Sequence, residues 1–212
     1  QPQIKINESL SLEDSIEGAK EKLLNSLRIR LRSDVPMAFC LSGGVDSAAL
    51  ASIACKVFGY NAHTFSIIDD DERYNEEGNI LATINDLGCE HHLIKVEPGN
   101  AIVRLKKLVE YHDAPVATVT YYVHSMLSEA IANRGYRVAF SGTAADEIFT
   151  GYYDHFLFHL HTVSQESNFK QYLEEWQINI AAFIRNPLLK DYQNFINNPC
   201  FRDHIFDGSG EI

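Results

Sequence analysis

The chain has 212 residues, 45% of them hydrophobic and 11% aromatic, enough for one substantial core, or one domain with an appended helical part, and too much for a disordered chain. Its formal net charge of −11, without a basic tract of five or more residues, argues against a nucleic-acid partner, because that binding needs clustered Lys and Arg. No signal peptide and no run of about eighteen apolar residues is present, so no membrane partner is expected, and the widely spaced Cys40, Cys55, Cys89 and Cys200, with no C-x-x-C, fit reduced packing residues in the cytoplasm.

Residues 1–9 read as a tail or linker, and the opening Gln1 predicts a piece of something longer or a processed product. Ser11 then offers an N-cap, with Asp14 three residues on. Leu12, Ile16, Ala19, Leu23, Leu27 and Leu31 recur at helical spacing, which predicts an amphipathic helix over 11–32 with its apolar face on a sheet. Arg28, Arg30 and Arg32 suit the dipole at its end and solvent, with a ligand phosphate as the alternative. Asp34-Val35-Pro36 ends the helix.

Ala38 to Leu41 reads as a buried strand that stops at Ser42-Gly43-Gly44, and an Ala-rich helical pattern runs from about Asp46 to Val57. Two adjacent glycines allow a tight turn and a close backbone approach to a ligand, and the N–H groups at the helix start point into the same space. Anionic oxygens are favoured there. Ser42 and Ser47 can donate to those oxygens, whereas Asp46 makes sense chiefly with a divalent cation in between. The loop therefore predicts a polyphosphate and magnesium. It is neither G-x-x-x-x-G-K-[ST] nor G-x-G-x-x-G.

Ala62 to Ile68 reads as a second strand, followed by an acidic run at Asp69, Asp70, Asp71 and Glu72, then Tyr74-Asn75-Glu76-Glu77 and a helix from about Asn75 to Leu87 closed by Gly88. Such acidic clusters are usually solvated, but this one follows a strand and so falls at the ligand-binding edge. Glu90 to Val96 reads as a third strand. His91 and His92 point to opposite faces of it and are expected to be structural, not a metal pair. A helix over 100–112 is broken at His112-Asp113-Ala114-Pro115; another runs from Thr120 to Arg134 and ends at Gly135. Tyr136 to Phe140 reads as a fourth strand entering Ser141-Gly142-Thr143-Ala144-Ala145-Asp146-Glu147. In a parallel sheet this turn lies on the same edge as the first, so Asp146 is expected to face Asp46 across a magnesium-pyrophosphate unit.

The alternation over 36–150 predicts an α/β fold, a doubly wound, mostly parallel sheet with helices on both faces. Two parts are expected, a nucleotide domain over 1–155 and a helical extension over 156–212 of the same domain. The extension is aromatic-rich, and His155, His159 and His161 in the segment around their boundary read as packing histidines. Asn186-Pro187 and Asn198-Pro199 each read as the start of a short helix, and 208–212 as a loop.

The hexapeptide S-G-G-V-D-S resembles the pyrophosphate loop of the N-type ATP pyrophosphatases. The order SDVP, LSGGVDS, TFSI with DERYNE, LGCEHHLI, HDAP and SGTAADEIFTGYY, over about residues 10–155, resembles the synthetase domain of asparagine synthetase and its relatives. The resemblance implies an adenine-nucleotide α-hydrolase fold. It also implies a reaction in which ATP adenylates a carboxylate, that of aspartate in the synthetase proper, pyrophosphate leaves, and ammonia forms the amide. Ammonia would come from a glutaminase domain, which this chain does not contain. By motif position Ser42, Gly43, Gly44 and Ser47 would hold pyrophosphate, Asp46 and Asp146 would bind magnesium, and Leu41, Ile67, Ser141 and Gly142 would line the adenosine site. Three departures stand out: Thr143 and Ala144 replace the family's Glu and Gly, Asp113-Ala114-Pro115 stands where the family usually has D-E-P and so loses one carboxylate, and the later E-A-R-x-P-F-L-D and lysine segments do not occur. Thr143 cannot take a proton near neutral pH. A domain that binds the nucleotide with altered or lost chemistry, and a tRNA-modifying relative, are the alternatives.

Overall fold

In the computed structural model, residues 9–68, 76–96 and 98–197 are described. The tail before residue 9, the acidic run through Asn75, the second Asn-Pro segment with Cys200, and the closing loop lie outside these residues. The chain forms two compact units, Gln1–Thr143 and Ala144–Ile212, dividing within the second glycine turn.

The first unit is built on four parallel strands, β1 (Met37–Cys40), β2 (His63–Ile68), β3 (Glu90–Lys95) and β4 (Val138–Phe140), in the order β3-β2-β1-β4. Successive side chains of a strand point to opposite faces, and both faces of β1 are covered. Phe39 packs with Leu27 of α1 (Leu12–Arg30) and with Ala51 of α2 (Val45–Ser52). Ala38 and Cys40 pack with Leu127 and Ile131 of α5 (Val119–Asn133). This is the doubly wound architecture that the alternation of elements requires. Between these helices run α3 (Glu77–Leu87) and α4 (Ala101–His112).

Local chemistry explains where the elements begin and end. Ser11 Oγ accepts the Asp14 N–H at 3.0 Å and so caps α1. Arg30 turns back to the Ser26 carbonyl at 3.3 Å and Arg28 to Asn25 at 2.7 Å, so these two arginines serve the end of their own helix. α2 continues as a π-helical turn, Ile53–Val57. Strand β4 begins two residues later than its apolar pattern suggests because Tyr136 belongs to the end of α5. With Gly135 at φ 85°, the Gly135 N–H reaches Ala132 O and the Tyr136 N–H reaches Ile131 O, a Schellman motif sealed by contact between Tyr136 and Ile131.

The second unit contains α6 (Ala145–Phe149), α7 (Tyr153–Thr162), α8 (Phe169–Trp176) with a π-helical turn after it, α9 (Pro187–Lys190) and α10 (Tyr192–Asn197). Leu157, Leu160, Trp176, Ile184 and Phe195 form its core. His155 and His159 stand edge-on to Tyr152 and Tyr172, the packing role read for them. Among the described residues no helix is long and apolar enough to cross a membrane.

Three non-glycine residues, Asp113, Ala144 and Thr150, are held at positive φ. Ala144 has φ 77°, in the left-handed region where a Cβ costs roughly 1–2 kcal/mol. Ala144→Gly is therefore expected to raise unfolding free energy by about 1 kcal/mol after the added flexibility of the unfolded chain is counted. Urea denaturation checks this; a loss of stability would contradict the backbone assignment.

Candidate functional site

In the order β3-β2-β1-β4 the chain winds outward from β1 through β2 to β3, then returns to the other side of β1 to place β4. The loops after β1 and β4 consequently diverge, leaving a crevice at the strand ends. A cavity of about 490 Å³ lies there, lined by Leu41, Ser42, Gly44, Asp46 and Ser47 of the first turn, Ile67 and Ile68 of β2, and Ser141, Gly142 and Thr143 of the second turn. Its volume is in the range of small-molecule and cofactor sites.

The first turn is shaped by its serines. The Ser42 N–H donates to Ser47 Oγ at 3.0 Å, Ser47 Oγ lies 3.1 Å from Ser42 O and 3.2 Å from Gly44 O, and the two hydroxyls are 2.9 Å apart. Buried Ser47 thus acts first as a staple that fixes the loop. The Ala48 N–H makes the first intrahelical bond, to Gly44 O at 3.3 Å, so the amides of Val45, Asp46 and Ser47 have no carbonyl partner in the helix. They form the positive end of α2.

Two glycines allow other chain segments to close on this turn. A Cβ on Gly43 would sit 2.4 Å from Glu76 Cβ and 3.0 Å from Glu76 O. The Gly43 N–H donates to Glu76 Oε2 at 3.0 Å, so a carboxylate of the protein already occupies one anion-binding amide. A Cβ on Gly142 would sit 2.8 Å from the Ser47 nitrogen, which is how the β4 turn comes to rest against the start of α2. Beyond it, Thr143 Oγ1 is 2.6 Å from Ser141 Oγ, a short turn closed by hydroxyls.

Leu41 is buried, its N–H donates to Phe65 O at 2.8 Å, and its carbonyl accepts from Ser66 Oγ. Its backbone is therefore largely committed to the sheet. Cys40 also lines the cavity, and burial pushes its thiol up, leaving a neutral apolar wall. Asp146 belongs to the second unit, in the first turn of α6, where its carboxylate occupies the space a side chain on Gly151 would take. Next to it, the Tyr152 hydroxyl donates to Glu147 at 2.7 Å and holds that carboxyl below the usual range.

Several lining residues escape a reading of motifs: Glu76 and Ile80 at the start of α3, and Val123, His124, Leu127 and Ser128 on α5. Glu76 was foreshadowed by the strand-end position of its acidic segment. Nothing in the periodicity of α5 marks which face overhangs the crevice.

Residues 18–198 match the family model for asparagine synthase. Among curated proteins, the amidase chyE of Penicillium rubens is 28% identical over 160 residues, covering 69% of this chain and 24% of that protein. Asparagine synthetase 1 of Bacillus subtilis is 31% identical over 137 residues, covering 65% of this chain and 21% of that protein. The chain thus spans about a quarter of the length of the curated relatives it matches. Among solved structures, NMN synthetase from Francisella tularensis aligns with a TM-score of 0.42 and 25% identity over 64% of this chain and 58% of that one.

Proposed function

This chain belongs to the asparagine synthase family, and on that premise we propose that the crevice between β1 and β4 binds ATP and supports adenylation of a carboxylate, with aspartate the first candidate. Pyrophosphate leaves, and ammonia from a glutaminase domain attacks the acyl-adenylate to give asparagine and AMP. The observation that carries this reading is that residues of the strand end, glycine turn and helix start line one cavity together with the second glycine turn. Among the described residues Cys40, Cys55 and Cys89 are free thiols, which suits the reducing cytoplasm where ATP is available.

The amides of Val45, Asp46 and Ser47 would bind the departing pyrophosphate, and Ser42 Oγ, which accepts the Gly44 N–H at 3.2 Å, would present its hydroxyl beside them; Gly43 permits the turn. Leu41, Ile67, Ser141 and Gly142 would border the adenosine. Fixed donors of this kind favour the charge that builds on phosphate oxygens without reorganising. Asp46 and Glu76 line the same cavity, so a polyphosphate entering alone meets two carboxylates. Carboxylate and hydroxyl oxygens are hard donors, the set that suits magnesium. Asp46 would hold it here; Asp146, in the other unit, takes the second ligand role on the resemblance alone. Bound magnesium supplies charge neutralisation at the phosphates.

A second reading is favoured by Thr143, whose hydroxyl stands where the family has Glu and cannot take a proton near neutral pH: nucleotide binding with altered or lost chemistry. The two are separated by carboxylate-dependent exchange of labelled pyrophosphate into ATP. Exchange that appears only with aspartate or another acid supports adenylation; tight ATP binding without exchange for any acid tested supports the second reading.

A further inference from the structure

We propose that His63, Glu90 and His92 form a binding site for a zinc-class divalent cation at the opposite edge of the sheet from the nucleotide crevice. His63 opens β2 and Glu90 opens β3, and the two are register partners; His92 pairs with Phe65 two residues along, so all three side chains emerge on one face. His91 points the other way, with Nδ1 2.9 Å from Thr64 Oγ1. The cluster therefore joins one of the two adjacent histidines to a histidine from the neighbouring strand, a grouping that sequence spacing does not display.

The two histidine-to-carboxylate separations match those of a coordination sphere. His63 Nδ1 lies 3.3 Å from Glu90 Oε2, His92 Nε2 lies 3.2 Å from Glu90 Oε1, and the ligand atoms of all three residues fall within 4.8 Å of one another. A tetrahedral ion with bonds of about 2.0–2.1 Å needs ligand atoms about 3.3–3.4 Å apart. His63 Nδ1 supplies a second, independent observation. It is closed off from solvent and makes no hydrogen bond, although a carboxylate oxygen is 3.3 Å away. It is a buried nitrogen that a bound ion would satisfy.

Two imidazoles and a carboxylate with no thiolate select zinc or cobalt over softer ions, and leave a fourth position for water. In sequence terms His63 pairs with Ala38 in β1, at the strand starts, whereas the glycine turn follows the strand ends. The ion would tie β2 to β3 without entering the nucleotide site.

The test is calorimetric titration of zinc chloride into the EDTA-treated, full-length protein at neutral pH, with cobalt absorption as a second readout. One ion per chain and a tetrahedral cobalt spectrum are expected. Affinity should fall on the order of 100-fold in His63→Ala and in Glu90→Gln, while His159→Ala, in the other unit, leaves it unchanged. Glu90→Gln keeps side-chain shape, and circular dichroism confirms folding. Absence of saturable binding, or equal affinity in wild type and Glu90→Gln, would overturn the site and leave the nucleotide reading intact.

Discussion

Gly43→Ala is expected to weaken ATP binding on the order of 100-fold and to destabilise the first unit by about 1–3 kcal/mol. The added Cβ would lie 2.4 Å from Glu76 Cβ and 3.0 Å from the Glu76 carbonyl oxygen. Neither atom is the far end of a flexible side chain, so the turn and the start of α3 must separate. The motion falls on the strand-to-helix junction that aims the α2 amides. Each misaligned hydrogen bond to a charged phosphate forfeits about 1.5–3 kcal/mol, and one or two such losses give the stated change. Gly18→Ala, in α1 where a Cβ meets nothing within 4 Å, is the control and should leave ATP affinity as it was. Calorimetry with magnesium ATP makes the comparison; wild-type affinity in Gly43→Ala would mean that the turn is not the phosphate site.

Asp46→Asn should separate two effects of opposite sign. Asp46 and Glu76 both line the cavity, and without a cation their charges oppose a polyphosphate. Removing one of them is expected to tighten magnesium-free ATP binding by about tenfold, a fraction of the several kcal/mol that two near charges exchange at intermediate dielectric, reduced by screening. The same change removes the oxygen proposed to hold magnesium, so AMP formation should fall by roughly 10²–10³. Nucleotide binding with and without magnesium, measured beside turnover, reads both signs. Unchanged magnesium dependence and unchanged turnover would remove Asp46 from the site.

Much of this was readable from the chain because local chemistry and tertiary structure agree. Ser11 caps the helix its spacing announces, Gly88 and Gly135 stop theirs, and the apolar runs before Ser42 and Ser141 are neighbouring strands. The glycine turn was legible for the same reason: strand, small residues and helix start are all local. What depended on distance was not. Ser47 reads as a phosphate donor, yet its hydroxyl is engaged with Ser42 and Gly44, because a loop that tight needs its own hydrogen bonds. Glu76 meets Gly43 across 33 positions, and no periodicity encodes that contact. The face of α5 that contributes His124 and Ser128 is set by which strands the helix covers. The joining of His63 to His92 follows from strand register alone.

The most direct measurement is phosphorus NMR of the products when the full-length protein is given ATP, magnesium, ammonium and aspartate. AMP and pyrophosphate, formed only with a carboxylate present, are the expected result if the first glycine turn holds pyrophosphate as proposed. ADP and inorganic phosphate would contradict that assignment, because they require cleavage at the terminal phosphate and not between the α and β phosphates.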